Sequence, residues 1–138
     1  MSVRLTIETR NLRGLVANLF AADTRMQAAT RRTVKKWGPK QKQLTEELAP
    51  YDTSKPAEEF HLRDNVRLRY SEDGLVYAVG FEEEDFTEAG QPFYALYTEF
   101  GTRFMNARPC VFPARDQIAP QFKADLSRNV RAAVKRKK

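Results

Sequence analysis

Val3, Leu5 and Ile7 alternate with Arg4, Thr6 and Glu8, the period of a short strand with one buried face. Past Asn11, a residue type suited to capping a helix, the period changes. Leu12, Leu15, Val16, Leu19 and Phe20 recur at spacings of three and four, and Met26, Thr30, Thr33, Val34, Trp37, Leu44 and Leu48 continue the stripe. Arg31, Arg32, Lys35 and Lys36 fall mostly off it. The pattern predicts a helical region over residues 12–48. Gly38-Pro39 interrupts it, and proline removes a helical donor and crowds the preceding turn, so a kink or break is expected there.

Ala49-Pro50 ends the helical pattern, and Tyr51 to Pro56 has the composition of a loop. Asn65 to Tyr70 and Leu75 to Phe81 read as strands joined by the turn Ser71-Glu72-Asp73-Gly74, which makes a β-hairpin. Glu82 to Pro92 is acidic and reads as an exposed excursion. The aromatic run Phe93 to Phe100 fits either a strand or a short helix, Gly101-Thr102 breaks it, and Arg108 to Phe112 reads as a last short strand. Pro113 then suits the first turn of a helix, along which Ile118, Phe122, Leu126, Val130 and Val134 recur every four residues. Lys135 to Lys138 are expected to fray. The sum is one α+β domain over residues 1–138: an N-terminal helical region, a central antiparallel sheet with a hairpin, and a C-terminal amphipathic helix packed on the sheet. Trp37, Pro50, Pro109, Pro113 and Phe122 are expected to make the fold rather than the function.

Composition narrows the function classes. With 138 residues, 41% hydrophobic and 11% aromatic, the chain can bury one core and is too apolar to be wholly disordered. Its apolar runs are too short to span a bilayer, and Met1 to Arg10 lacks the basic and apolar regions of a secretory leader, so no membrane partner is expected. A single cysteine, Cys110, excludes an intramolecular disulfide and fits a reducing cytosol. Cys110 stands between Pro109 and Val111 and reads as a small buried hydrophobe. The one histidine, His61, removes any relay or metal site needing two imidazoles and reads as a partly exposed loop residue. No nucleophile motif or phosphate-binding glycine loop is present, and no cofactor or metal is expected. The reading is non-enzymatic.

The net charge of +6 conceals three blocks. Residues 1–45 carry 10 basic and 2 acidic side chains, residues 46–100 carry 4 and 14, and residues 101–138 carry 10 and 2. Basic ends alone would suit nucleic acid, and a small basic nucleic-acid-binding protein is the alternative reading. The acidic middle, above all Glu82, Glu83, Glu84, Asp85 and Glu88, repels a phosphate backbone, and a basic–acidic–basic chain can complement itself within a subunit or between copies.

The most distinctive stretch is Tyr94-Ala95-Leu96-Tyr97-Thr98-Glu99-Phe100-Gly101-Thr102, with Ala107-Arg108-Pro109 and Phe112-Pro113-Ala114 after it. With Ala49-Pro50, Asp52-Thr53 and Leu62-Arg63-Asp64-Asn65-Val66 upstream, it resembles the tail-completion, or head–tail joining, family of long-tailed double-stranded DNA phages. Ser54 stands where that family has glycine, and Lys55 to His61 looks like a short insertion. The resemblance covers about residues 10–135. It implies a virion protein made in the host bacterial cytoplasm, forming a ring of six copies at the head-proximal end of the tail. The implied partners are the neck or head-closure protein and the tail tube or tail terminator protein, with DNA passing through the channel without sequence-specific reading. Candidate assembly residues are Glu82, Glu83, Glu84, Asp85 and Glu88, together with Glu99, Phe100, Gly101, Thr102 and Arg103; Phe100 and Phe104 read as core or interface anchors.

Overall fold

The long apolar stripe folds as one helix, α1 (Leu12–Leu48), unbroken through Gly38-Pro39. The computed structural model describes residues 12–135, with side chains from Ala17 onward. The strand expected over Val3 to Ile7 lies outside the described residues, as does most of the basic end expected to fray. The expected interruption at Gly38-Pro39 is absent for a positional reason. Pro39 lies on the exposed side of the helix, where water can serve the Lys35 carbonyl that proline leaves without a donor. Gly38 lies on the buried side. A Cβ there would stand 3.2 Å from both the Leu68 side chain and the Tyr70 hydroxyl, so glycine lets the hairpin approach the helix backbone closely.

A 3-10 turn (Leu62–Asn65) leads into β1 (Arg67–Tyr70) and β2 (Tyr77–Gly80), which pair antiparallel with Leu68 opposite Val79 and Tyr70 opposite Tyr77. Side chains of a strand alternate between faces. Leu68 and Tyr70 approach Gly38, and the Tyr77 hydroxyl donates to Gln41 at 2.6 Å, so this face of the hairpin lies on α1. The other face is exposed at Arg67, Arg69 and Ala78. Helices α2 (Glu83–Glu88) and α3 (Ala95–Phe100) follow, and α4 (Val111–Lys135) closes the chain. It packs antiparallel along α1 and meets the hairpin where Phe122 takes the Tyr77 ring edge-on at 5.8 Å. The architecture is the mixed α+β arrangement read from the sequence.

Two expectations are overturned. The acidic stretch 82–92 is not merely an exposed excursion: its middle forms α2, because Phe86 is fully buried against Phe60, Phe81, Phe93 and Tyr94. These rings, with Leu62 and Ala95, form a core cluster of their own. Arg108 to Phe112 is not a strand: α4 already begins at Val111. The four-residue row of α4 also drifts. Four helical steps overshoot one turn by about 40°, so a strict every-fourth row winds off the buried face. Val134 therefore ends exposed, while Ala114, Ile118, Asp125 and Ala133 hold the buried line.

A polar spine joins the two long helices. Asn129 Nδ2 donates to Thr33 Oγ1 at 2.9 Å, and Arg25 Nε donates to the Ala133 carbonyl at 2.9 Å. Buried Asp125 accepts from Trp37 Nε1 at 2.8 Å, from Lys36 Nζ at 2.9 Å and from Arg128. Those donors, Lys36 foremost, hold the Asp125 carboxyl well below its ordinary value of 3.8. A group depressed on folding stabilises fully above its unfolded value, and that contribution is lost as pH falls toward the folded one. Asp125→Asn is expected to lower the melting temperature at neutral pH and to shrink the gap to the parent as pH falls below about 4. Thermal melts across that range measure it, and a gap that stays constant would contradict the assignment.

Candidate assembly surface

Glu99 is the pivot of the motif segment. It is buried at the end of α3, and its carboxylate accepts three backbone N–H groups at the start of α4. Oε2 takes Cys110 at 2.9 Å and Val111 at 3.1 Å, and Oε1 takes Phe112 at 2.9 Å. A helix begins with donors that have no partner inside it. Here Glu99 satisfies three, and the next residue, Pro113, has no N–H to satisfy. The negative charge also meets the positive end of the helix dipole. Cys110, packed against the same carboxylate, is 1% exposed, and burial with the neighbouring charge pushes its thiol up to about 12. It is the buried residue its flanks suggested.

Between Glu99 and α4 the chain makes a projecting loop. Gly101 ends α3 at φ 75° and ψ 175°, and its N–H donates to the Tyr97 carbonyl at 2.7 Å. A Cβ on Gly101 would lie 2.8 Å from the Ala107 nitrogen and 3.0 Å from the Met105 carbonyl oxygen. The loop closes on itself where the Thr102 N–H donates to Met105 at 2.8 Å, and the Phe104 N–H donates to Thr102 Oγ1 at 3.2 Å. Arg108 N–H returns the chain to the Thr98 carbonyl at 2.7 Å, and Pro109 then leads into α4. Held this way, Phe104 is 93% exposed, with the Arg103 guanidinium 5.8 Å from its ring. Phe100 is 65% exposed and contacts Phe112 at 5.5 Å. Neither Phe100 nor Phe104 is a core residue. Both stand at the surface.

The acidic cluster divides in two. Glu82 pairs with Arg69, and Asp85 takes Arg67 through two bonds of 2.7 and 2.8 Å, so these two brace α2 against the hairpin's outer face. The paired arginines hold both carboxyls below their ordinary values. Glu83, Glu84 and Glu88 are exposed and carry no ion pair among the described residues.

Of the residues expected to make the fold, Trp37 joins α1 to α4 through Asp125, Phe122 joins α4 to the hairpin through Tyr77, Pro113 is in the first turn of α4, and Pro50 follows the end of α1. His61 differs from its expectation. It is buried, stacked on Tyr51 at 4.2 Å, with Nε2 2.9 Å from the Pro56 carbonyl oxygen, and its neighbour Phe60 packs on Phe86. Asp125 was missed; the signal was an acid on the buried line of an amphipathic helix. Comparison with protein-family models, with curated proteins and with solved structures finds no match to this chain.

Proposed function

We propose that this chain is a structural phage protein, a tail-completion or head–tail connector subunit. Copies form a ring, six by analogy with the family it resembles, at the head-proximal end of the tail. The ring docks to the neck or head-closure protein and to the tail tube or tail terminator protein, and DNA passes through it unread. The subunit is made in the host cytoplasm and ends in the virion. What supports the reading most is the motif segment itself. Its two most constrained residues, Glu99 and Gly101, are spent on bracing a loop whose tip presents Phe104 to solvent. An apolar knob on a rigid support suits assembly, since a closed ring needs one face of each subunit to fit a different face of the next.

Glu83, Glu84 and Glu88, exposed and without an ion pair among the described residues, are the part of the cluster that can meet a basic surface on a neighbour. Replacing all three with serine is expected to weaken ring formation or head–tail joining while leaving the subunit's melting temperature near that of the parent. Light scattering and electron microscopy of the variant measure this, and normal assembly would discard the acidic contact.

One observation favours the nucleic-acid reading. Arg32 and Lys35 on α1, and Arg131 and Lys135 on α4, are exposed on two adjacent helices. Salt-dependent retention of duplex DNA by a strictly monomeric protein would support that alternative.

A further inference from the structure

An apolar groove of about 530 Å³ runs between the hairpin and α4, with Leu75, Val76 and Val79 on one side and Phe112, Phe122 and Leu126 on the other. Val76 is 61% exposed and marks its open end. Among the described residues the sheet has two strands, so no third strand covers β2 on this side. The same chain therefore leaves one apolar ring in water, at Phe104, and one apolar groove open elsewhere. Exposed apolar surface of this kind marks an interaction site.

We propose that this groove receives Phe104 of a second copy of the chain. The loop that carries Phe104 is fixed by the Thr102–Met105 pairing and by Gly101 packed on Ala107, so little ordering remains to be lost on contact. Charge complementarity selects the occupant. Arg103 stands beside Phe104, exposed and without an ion pair among the described residues. At the open end of the groove the turn before Val76 carries Glu72 and Asp73, both exposed and neither ion-paired among the described residues. The Ser71 N–H closes that turn on the Val76 carbonyl at 2.9 Å and keeps the two acids beside Val76. Arg31 reaches the turn as well, but it donates to the Asp73 carbonyl at 2.7 Å and to neither carboxylate. An incoming Arg103 thus meets acids as Phe104 meets Val76, Phe122 and Leu126.

Within one chain the ring and the groove stay apart. Phe104 is 93% exposed, and its loop joins α4 at Val111, from which the helix rises about 17 Å to Phe122 and about 23 Å to Leu126. The ring and the open end of the groove are therefore different places on the subunit. The contact is heterologous, one face of a copy meeting another face of the next, which is the contact that closes a ring. It rests on the reading of this chain as a ring-forming subunit, and it supplies the face that receives the loop.

The test uses the full chain with the photoreactive residue p-benzoylphenylalanine in place of Phe104, as an equal mixture of light and heavy isotope-labelled protein at high concentration. After irradiation, mass spectrometry is expected to find mixed-isotope crosslinks ending within residues 75–79 or 119–126. Val76→Lys in the same background places a cation where Arg103 arrives, and is expected to abolish those crosslinks. Val76 is exposed, so the melting temperature is expected to stay near that of the parent. Crosslinks confined to one chain, crosslinks between two Phe104 loops or ending elsewhere, or none at all would overturn the proposal. So would crosslinks that survive Val76→Lys. Each of those results leaves the head–tail reading standing, because that reading is decided by where the chain sits in a particle.

Discussion

Glu99→Ala is expected to cost about 3 kcal/mol of stability or more, because buried donors lose a charged acceptor and gain nothing in its place. Water cannot readily substitute at Cys110, which is buried. For a domain of this length the corresponding fall in melting temperature is roughly 10 °C, read by calorimetry or circular dichroism. Glu99→Gln tests the geometry more sharply. With its oxygen toward Cys110 and Val111, the amide nitrogen faces the Phe112 N–H, and two donors then oppose each other. Glutamine is therefore expected to recover part of the loss and not all of it. A melting temperature unchanged in the alanine variant would remove Glu99 from its role as the cap of α4.

Gly101→Val is expected to be comparably damaging for a different reason. At φ 75° and ψ 175° the residue occupies a region essentially closed to side chains. A Cβ also meets the backbone at Ala107 and Met105, which cannot move aside as a flexible side-chain tip could. Strain and overpacking together come to about 3 kcal/mol. The variant is expected to melt well below the parent and to lose solubility, and an unchanged melting temperature would count against the assignment. Unlike the loss of Glu99, this change leaves the donors of α4 satisfied. The two variants therefore separate a helix-capping defect from a loop defect.

The long elements were legible because their signals are local and repeated. Apolar positions at spacings of three and four mark α1 and α4, and a turn sequence between two short alternating runs marks the hairpin. What was not legible depends on partners distant in the chain. Pro39 breaks nothing because its ring faces solvent, and which side of a helix faces solvent is set by packing. The run of acids at 82–85 obscured Phe86, whose four ring neighbours come from positions 60 to 94. Val111 and Phe112 have the composition of a strand, yet Glu99, more than ten residues upstream, starts a helix there. In the motif segment, roles also follow from packing rather than composition. Its Glu and Gly build the support, and Arg103 and Phe104 stand exposed at the tip.

Cryo-electron microscopy of particles carrying an affinity label on this chain tests its proposed place as a ring-forming subunit at a head–tail junction. The expected image is a closed ring of the labelled chain between capsid and tail, with open density for DNA along its axis. Complete particles with no label at that junction would contradict it.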